Sequence, residues 1–269
     1  MWQTSRFECK YMIPWQKAAA LRRWIQNFLP PDSYAATLPE FTYPIGSLYL
    51  DSPGLRLYRM TEGGEKNRFK LRVRAYSDDP ETPVFFEIKR RIDRVISKSR
   101  VLLSRLDARD ILLGRISPRM IAQNGDLHHL ETYLNLMIGL SAQPVVRVRY
   151  LREAYESQNG DKLRLTFDHH LEYAHTSDFN FSIDEAVWHA VPMSGVLLEV
   201  KFTDMYPQWV GEMIRHFELQ KIPFSKYNLS VHGMKSPLCR IQYALEGASD
   251  GLFLATPGNL RRQGDGPNS

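Results

Sequence analysis

Between residues 69 and 91 apolar and polar positions change places at almost every step. Lys70, Arg72 and Arg74 share one parity, and Leu71, Val73 and Ala75 share the other. Beyond Ser77-Asp78-Asp79-Pro80 the alternation resumes, with Glu87, Lys89 and Arg91 set against Phe86 and Ile88. A period of two predicts half-buried β-strands, and the Ser/Asp/Pro cluster supplies a hairpin turn. The same pattern recurs over 6–11, 145–152, 162–168 and 198–203. Residues 47–51 read as a further strand ending at Ser52-Pro53-Gly54, and Lys98 and Arg100 extend the basic set past Val95 and Ile96. A period near 3.6 predicts helices over 14–29, 104–114, 126–140 and 206–219, the second opened by a Ser104/Asp107 capping box. Phe224-Ser225-Lys226-Tyr227, after Pro223, enters another helix.

The polar parity of these strands is dominated by Arg and Lys, with isolated Glu. On a single hairpin such a face would simply meet water. Its recurrence implies one shared basic surface. If antiparallel strands close into a barrel, their apolar faces pack outward under helices and their charged faces line the interior. Two like charges about 4 Å apart repel by roughly 4 kcal/mol at an effective dielectric near 20. A crowded basic interior is therefore tolerable only with water, paired Glu or a polyanionic ligand. The expected architecture is α+β, an antiparallel β-barrel tunnel with helices packed outside, and the expected ligand is a polyanion.

With 269 residues and 43% apolar content, the chain suits one mixed domain. That domain is expected over 5–235, with a helical extension over 236–258 and a disordered polar tail over 259–269. The formal charge of +5 suits an anionic partner. Two cysteines, Cys9 and Cys239, provide neither a disulfide framework nor a zinc site. No signal peptide or bilayer-length apolar run is visible, so a cytoplasmic protein is expected. Nucleic acid is not an expected partner, because the basic residues lie on strand faces and no nucleic-acid motif is present.

Seven motifs together carry a resemblance to a known family. They are Arg6-Phe-Glu8-Cys-Lys10-Tyr, Ser47-Leu-Tyr-Leu-Asp51, Lys70-Leu-Arg72-Val-Arg74, Phe86-Glu87-Ile-Lys89, Arg149-Tyr150-Leu-Arg152, Leu198-Glu199-Val-Lys201 and Phe224-Ser225-Lys226-Tyr227. In order and spacing, over roughly residues 5–235, they resemble the VTC domain. This is the polyphosphate polymerase domain of the vacuolar transporter chaperone complex and its bacterial relatives, within the triphosphate tunnel metalloenzymes (the CYTH superfamily). The resemblance implies a tunnel barrel, ATP and inorganic polyphosphate as partners, transfer of the terminal phosphate, and Mn²⁺ or Mg²⁺.

By motif match, Lys10, Arg72, Arg74, Lys89, Lys98, Arg152 and Arg164 would grip phosphate oxygens, and Tyr150 and Ser225 would add hydrogen bonds. Lys226 would sit at the reacting phosphates, forming the catalytic set with Arg152 and Arg164. Glu199 would hold the metal; Glu8 and Glu87 would either assist it or pair with neighbouring Arg and Lys. Arg forks and Lys point charges suit phosphate, and phosphoryl transfer asks mainly for positioned charge. The superfamily's Glu-x-Glu-x-Lys signature reads Arg6-x-Glu8-x-Lys10 here, which favours the polymerase branch. A tripolyphosphate or nucleoside-triphosphate hydrolase and a non-catalytic polyphosphate sensor are the alternatives. The membrane and inositol-phosphate-sensing parts of eukaryotic polymerase subunits are not visible, so passing product through a bilayer would need a membrane-protein partner.

Overall fold

Among the described residues nine strands, all paired antiparallel, form the wall of the structure. They are β1 (Arg6–Pro14), β2 (Thr42–Asp51), β3 (Asn67–Ala75), β4 (Val84–Ile92), β5 (Val95–Leu103), β6 (Gln143–Glu156), β7 (Arg164–His175), β8 (His189–Ala190) and β9 (Gly195–Thr203). The computed structural model describes residues 6–93, 95–116, 127–158 and 162–235. Residues 1–231 form one unit; of the second, 232–269, only 232–235 are described. The expected helical extension and polar tail lie outside the described residues.

The strands neighbour one another in the order β6-β2-β3-β4-β5-β1-β9-β7-β8, and β7 pairs back onto β6, bringing the circuit round. β1 and β9 are paired along their whole length, from Arg6 with Thr203 to Pro14 with Gly195. Among the described residues β1 and β5 pair at Arg6 with Ile96. The barrel expected from the sequence is thus realised in strand order, but among the described residues the sheet is not fully closed. Further along β1, the free edge is met by Lys221 and Ile222, whose N–H donates to the Lys10 carbonyl at 2.8 Å.

Helices pack outside. Among the described residues these are α1 (Trp15–Gln26), α2 (Arg56–Glu62), α3 (Arg105–Leu112), α4 (Leu127–Gly139), α5 (Gln208–His216) and α6 (Lys226–Met234). One core gathers the outer faces of β2 to β5, including Leu71, Val73, Phe86 and Ile88, under Leu57, Ala108, Ile111, Leu130 and Tyr133 of α2, α3 and α4. A second gathers Ile13, Leu165, Phe167, Leu198 and Val200 under Leu21, Ile25, Val210 and Met213 of α1 and α5. Both follow directly from the period-two parity, and each strand exchanges its apolar face from water for helix.

Local chemistry sets the helix ends. Ser104 Oγ accepts from the Asp107 N–H at 3.0 Å and donates to its carboxylate, as the capping box requires. α5 is shorter than the expected 206–219: Pro207 caps its start, and Glu218 lies just beyond its end at φ 54°. α1 likewise stops at Gln26, before Leu29 and the Pro pair. The start expected for α4 at Asp126 lies outside the described residues.

Candidate active site

The inward parity of the barrel encloses a cavity of about 570 Å³, and eleven of its twenty-one lining residues are Lys or Arg against three Glu. Lys10, Arg72, Arg74, Lys89, Lys98 and Tyr150 line it, as do Arg152, Arg164, Glu8, Glu199, Ser225 and Lys226. The structure therefore brings together every residue singled out from the motifs except Glu87, which lies behind the lining. Not every basic strand position contributes. Arg147 and Arg149 point to the other face of β6, where their guanidinium groups sit over Trp188 at 5.7 and 4.4 Å.

Glu87 is completely buried, and four basic side chains converge on it. Arg72 reaches it at 2.6 Å, Lys98 at 2.6 Å, Arg100 at 2.7 Å and Arg74 at 3.7 Å. Burial alone would raise its pKa, but these cations hold the carboxyl well below the usual range. Both oxygens are engaged, so in this structure Glu87 takes the cation-pairing role, one of the two expected for it. Tyr49 and Tyr76 hydroxyls accept from Arg72 and Arg100 at 3.2 and 3.1 Å.

Around Lys226 the arrangement is different. Pro223 and Ser225 precede α6, and the Ser225 hydroxyl accepts from the Asn228 N–H at 3.2 Å, in the manner of an N-cap. Lys226, the first helical residue, projects between Asp168 at 2.6 Å and Glu199 at 3.0 Å, and its ammonium lies 4.6 Å from the Tyr150 ring centre. Arg152 grips both Asp168 oxygens at 2.7 Å and reaches Glu199 at 3.4 Å. Lys201 adds a contact to Glu199 at 2.6 Å. Burial would raise the Glu199 pKa, but Lys201, Lys226, Lys10 and Arg152 overcome it, so the group is a carboxylate at neutral pH. Burial would lower the Lys226 pKa; Asp168 and Glu199 overcome that and hold the ammonium charged.

Glu8 bridges Lys10 at 3.2 Å and Lys89 at 2.9 Å. Lys70 donates to Ser225 Oγ, and burial together with Lys10, Lys89 and Arg72 drives its pKa well down. Arg164 is held by Asp32, Glu156 and the Tyr43 hydroxyl. Asp51, the last residue of β2, accepts from the N–H groups of Leu57 and Tyr58 and from the Tyr227 hydroxyl at 2.6 Å, fastening α2 and α6 to the barrel.

Asp168, Lys70, Arg100 and Lys201 were missing from the sequence-derived set. Each carried a signal. Lys70 and Arg100 share parity with Arg72 and Lys98, Lys201 with Glu199, and Asp168 lies two register steps from Arg164 on the same face.

Among the described residues no three His, Cys, Asp or Glu side chains gather as a metal-ligand set. Mg²⁺ and its relatives, however, take one or two carboxylates and complete the shell with phosphate oxygens and water. Glu8 and Glu199 fit that demand: both line the cavity, both are ionised, and they share Lys10, at 3.2 and 3.7 Å. Glu87 does not.

The model of the VTC domain matches residues 5–236. The chain belongs to the VTC domain family. Solved structures similar to this VTC domain include a Bacillus halodurans protein provisionally named an adenylate cyclase, at 13% identity over 82% of this chain and 93% of that one, with a TM-score of 0.46. A Pyrococcus horikoshii protein is 12% identical over 86% of this chain and 99% of its own, with a TM-score of 0.43. A Vibrio parahaemolyticus protein under the same provisional cyclase name is 11% identical over 85% and 98%, with a TM-score of 0.44. No curated protein matches the chain. Among the described residues no helix is long and apolar enough to cross a membrane.

Proposed function

We propose that this VTC domain is a polyphosphate polymerase, transferring the terminal phosphate of ATP to a growing inorganic polyphosphate chain held in the basic cavity. The observation that carries this reading is the convergence of eleven Lys and Arg side chains on one cavity that only three Glu line. A run of phosphates supplies the missing anions.

In the transfer, a terminal oxygen of the chain attacks the γ-phosphorus. A new P–O bond forms as the β–γ bridge breaks, and the electron pair of the broken bond leaves on ADP. The nucleophile is already an oxyanion and the bridging oxygen departs as one, so positioned charge matters more than proton transfer. Lys226, with Arg152 beside it, is placed to neutralise charge on the transferred group. Arg72, Arg74, Lys89, Lys98 and Arg164 align the chain, and Tyr150 and Ser225 donate to its oxygens. As phosphate oxygens take over Lys10, Lys89 and Lys201, the oxygens of Glu8 and Glu199 are released. Those two carboxylates would hold Mn²⁺ or Mg²⁺, whose chemistry there is neutralising phosphate charge. On the strand β1, Arg6 in place of a first Glu leaves Glu8 as the sole carboxylate, which supports polymerase over triphosphatase.

The test is turnover of ATP with and without Mn²⁺, read so that polymer and orthophosphate are separated. Metal-dependent chain growth is expected. Orthophosphate without polymer would move the reading to a hydrolase, and binding without turnover to a sensor.

A further inference from the structure

Across β3, β4 and β5 the inward side chains stand in rows. Arg72, Glu87 and Arg100 are neighbours in one row, and Lys70, Lys89 and Lys98 in the next. The first row contains its own acid. In the second, Lys89 is met by Glu8, Lys98 by Glu87, and Lys70 by the Ser225 hydroxyl. One row further out, Arg68 and Arg91 are paired directly opposite each other, with Ile96 beside Arg91. Both keep the parity of Lys70 and Lys89. They stand outside the set that lines the cavity, about 7 Å along the strands from the lysine row.

This outermost row has no anion of its own. Like charges set opposite each other on one sheet face destabilise the strand pair. Arg68 Nη1 donates to the Glu65 carbonyl, and Arg91 Nε to the Asp93 carbonyl at 2.8 Å, and among the described residues neither makes an ion pair. Neutral backbone oxygens therefore aim the two guanidinium groups without cancelling their charge. Burial lowers the Arg68 pKa and Arg91 lowers it further, with Glu65 opposing, so the repulsion between the pair is not relieved. Arg91 is exposed and Arg68 half-buried, which leaves both within reach of a ligand from solvent.

We propose that Arg68 and Arg91 form an outer subsite for polyphosphate, holding the part of a long chain that extends past the cavity. The inference rests on the polymer-holding cavity proposed above and adds to it the place where chain length is recognised. A guanidinium fork suits two phosphate oxygens at once, and two forks side by side suit a run of them. A polyphosphate is such a run, so a chain that fills the lysine row continues onto the arginine row. A nucleoside triphosphate is different, because its charge ends at three phosphates and gives way to a neutral sugar and base. The outer row therefore separates polymer from donor: both use the cavity cations, and only a long chain also uses Arg68 and Arg91.

The experiment is calorimetric titration of the full chain with long-chain polyphosphate, inorganic tripolyphosphate and a non-hydrolysable ATP analogue. The double variant Arg68→Gln with Arg91→Gln should bind the long chain about tenfold more weakly and the two short ligands as before. Its ligand-free Tm should be unchanged or raised, since two opposed like charges are gone. Arg68→Lys with Arg91→Lys keeps both charges and should bind the long chain more tightly than the Gln pair. Unchanged long-chain affinity in the Gln pair, or a parallel loss for all three ligands, overturns the subsite. A loss confined to the ATP analogue also overturns it, by giving the row to the nucleotide. No ligand is turned over in these titrations, so the outcome is separate from polymer synthesis. A protein that makes no polymer but shows the length-dependent loss would retain the subsite and lose the polymerase reading.

Discussion

Lys226 Nζ lies 2.6 Å from Oδ2 of Asp168, an oxygen that also receives the Arg152 guanidinium at 2.7 Å. Asp168, buried on β7, therefore fixes two of the cations assigned to the reacting phosphates. Lys226→Ala leaves the Arg152–Asp168 pair intact, so the fold should survive while charge stabilisation at the transferred phosphate is lost. Turnover at saturating ATP should fall by about 10²–10³, with an unchanged circular dichroism spectrum. Activity close to that of the unaltered protein would remove Lys226 from the chemistry.

Glu87 predicts the opposite balance of stability and binding. Neutralising it leaves Arg72, Arg74, Lys98 and Arg100 crowded without their shared anion. Removing one partner of a buried charge cluster costs about 3–5 kcal/mol. Glu87→Gln should unfold at lower denaturant concentration, and tripolyphosphate should raise its Tm by more than it raises that of the unaltered protein, because the ligand supplies the missing negative charge. An equal or smaller ligand-induced shift in the variant would show that Glu87 does not organise these four side chains.

The parity of the strands made the barrel and most of its basic interior legible, because period two maps straight onto the two faces of a sheet. It could not say which face was inward on each strand. Arg147 and Arg149 looked equivalent to Arg72 and Arg74 but stack on Trp188, brought there by the long connection from β7 to β8. Asp78 holds that connection by accepting from the N–H groups of Ile183 and Asp184, more than 100 residues away, a contact no local pattern announces. Pro44 and Gly46 hid the first half of β2, and the register shift between Arg149 and Leu151 obscured how β7 continues beyond Asp168 to His175.

Gly195 begins β9 where β1 ends. A Cβ built there would lie 2.0 Å from the Ile13 carbonyl oxygen and 2.7 Å from its carbon, so backbone would have to move. At Gly46 the corresponding contact, 2.7 Å, is to the Ile183 side chain, which has rotameric freedom. Gly195→Ala should therefore lose more stability than Gly46→Ala, by about 2 kcal/mol or more. Equilibrium urea unfolding of the two variants compares them directly. A reversed order would show that the β1–β9 end yields more easily than the core around Ile183.

Polyanion binding should take up a proton. Burial pushes the Lys98 amine down; attraction by Glu87 opposes this, while Arg74, Arg100 and Arg72 reinforce it, leaving the pKa at about 6 in the ligand-free protein. Near neutral pH the amine is then mostly uncharged, although a bound phosphate chain favours the ammonium. The sign follows: below about pH 6 the group is already protonated and affinity is flat, whereas above it each bound chain must bring a proton and affinity falls as pH rises. Lys201, pushed down to about 8 chiefly by burial, adds a second decline beginning there. Titrating tripolyphosphate near neutral pH in buffers of different ionisation enthalpy should reveal proton uptake, to which Lys70, also driven well down, contributes beside Lys98, and Lys98→Met should reduce it. Heats of binding that do not depend on the buffer would mean that Lys98 is already charged before the chain arrives.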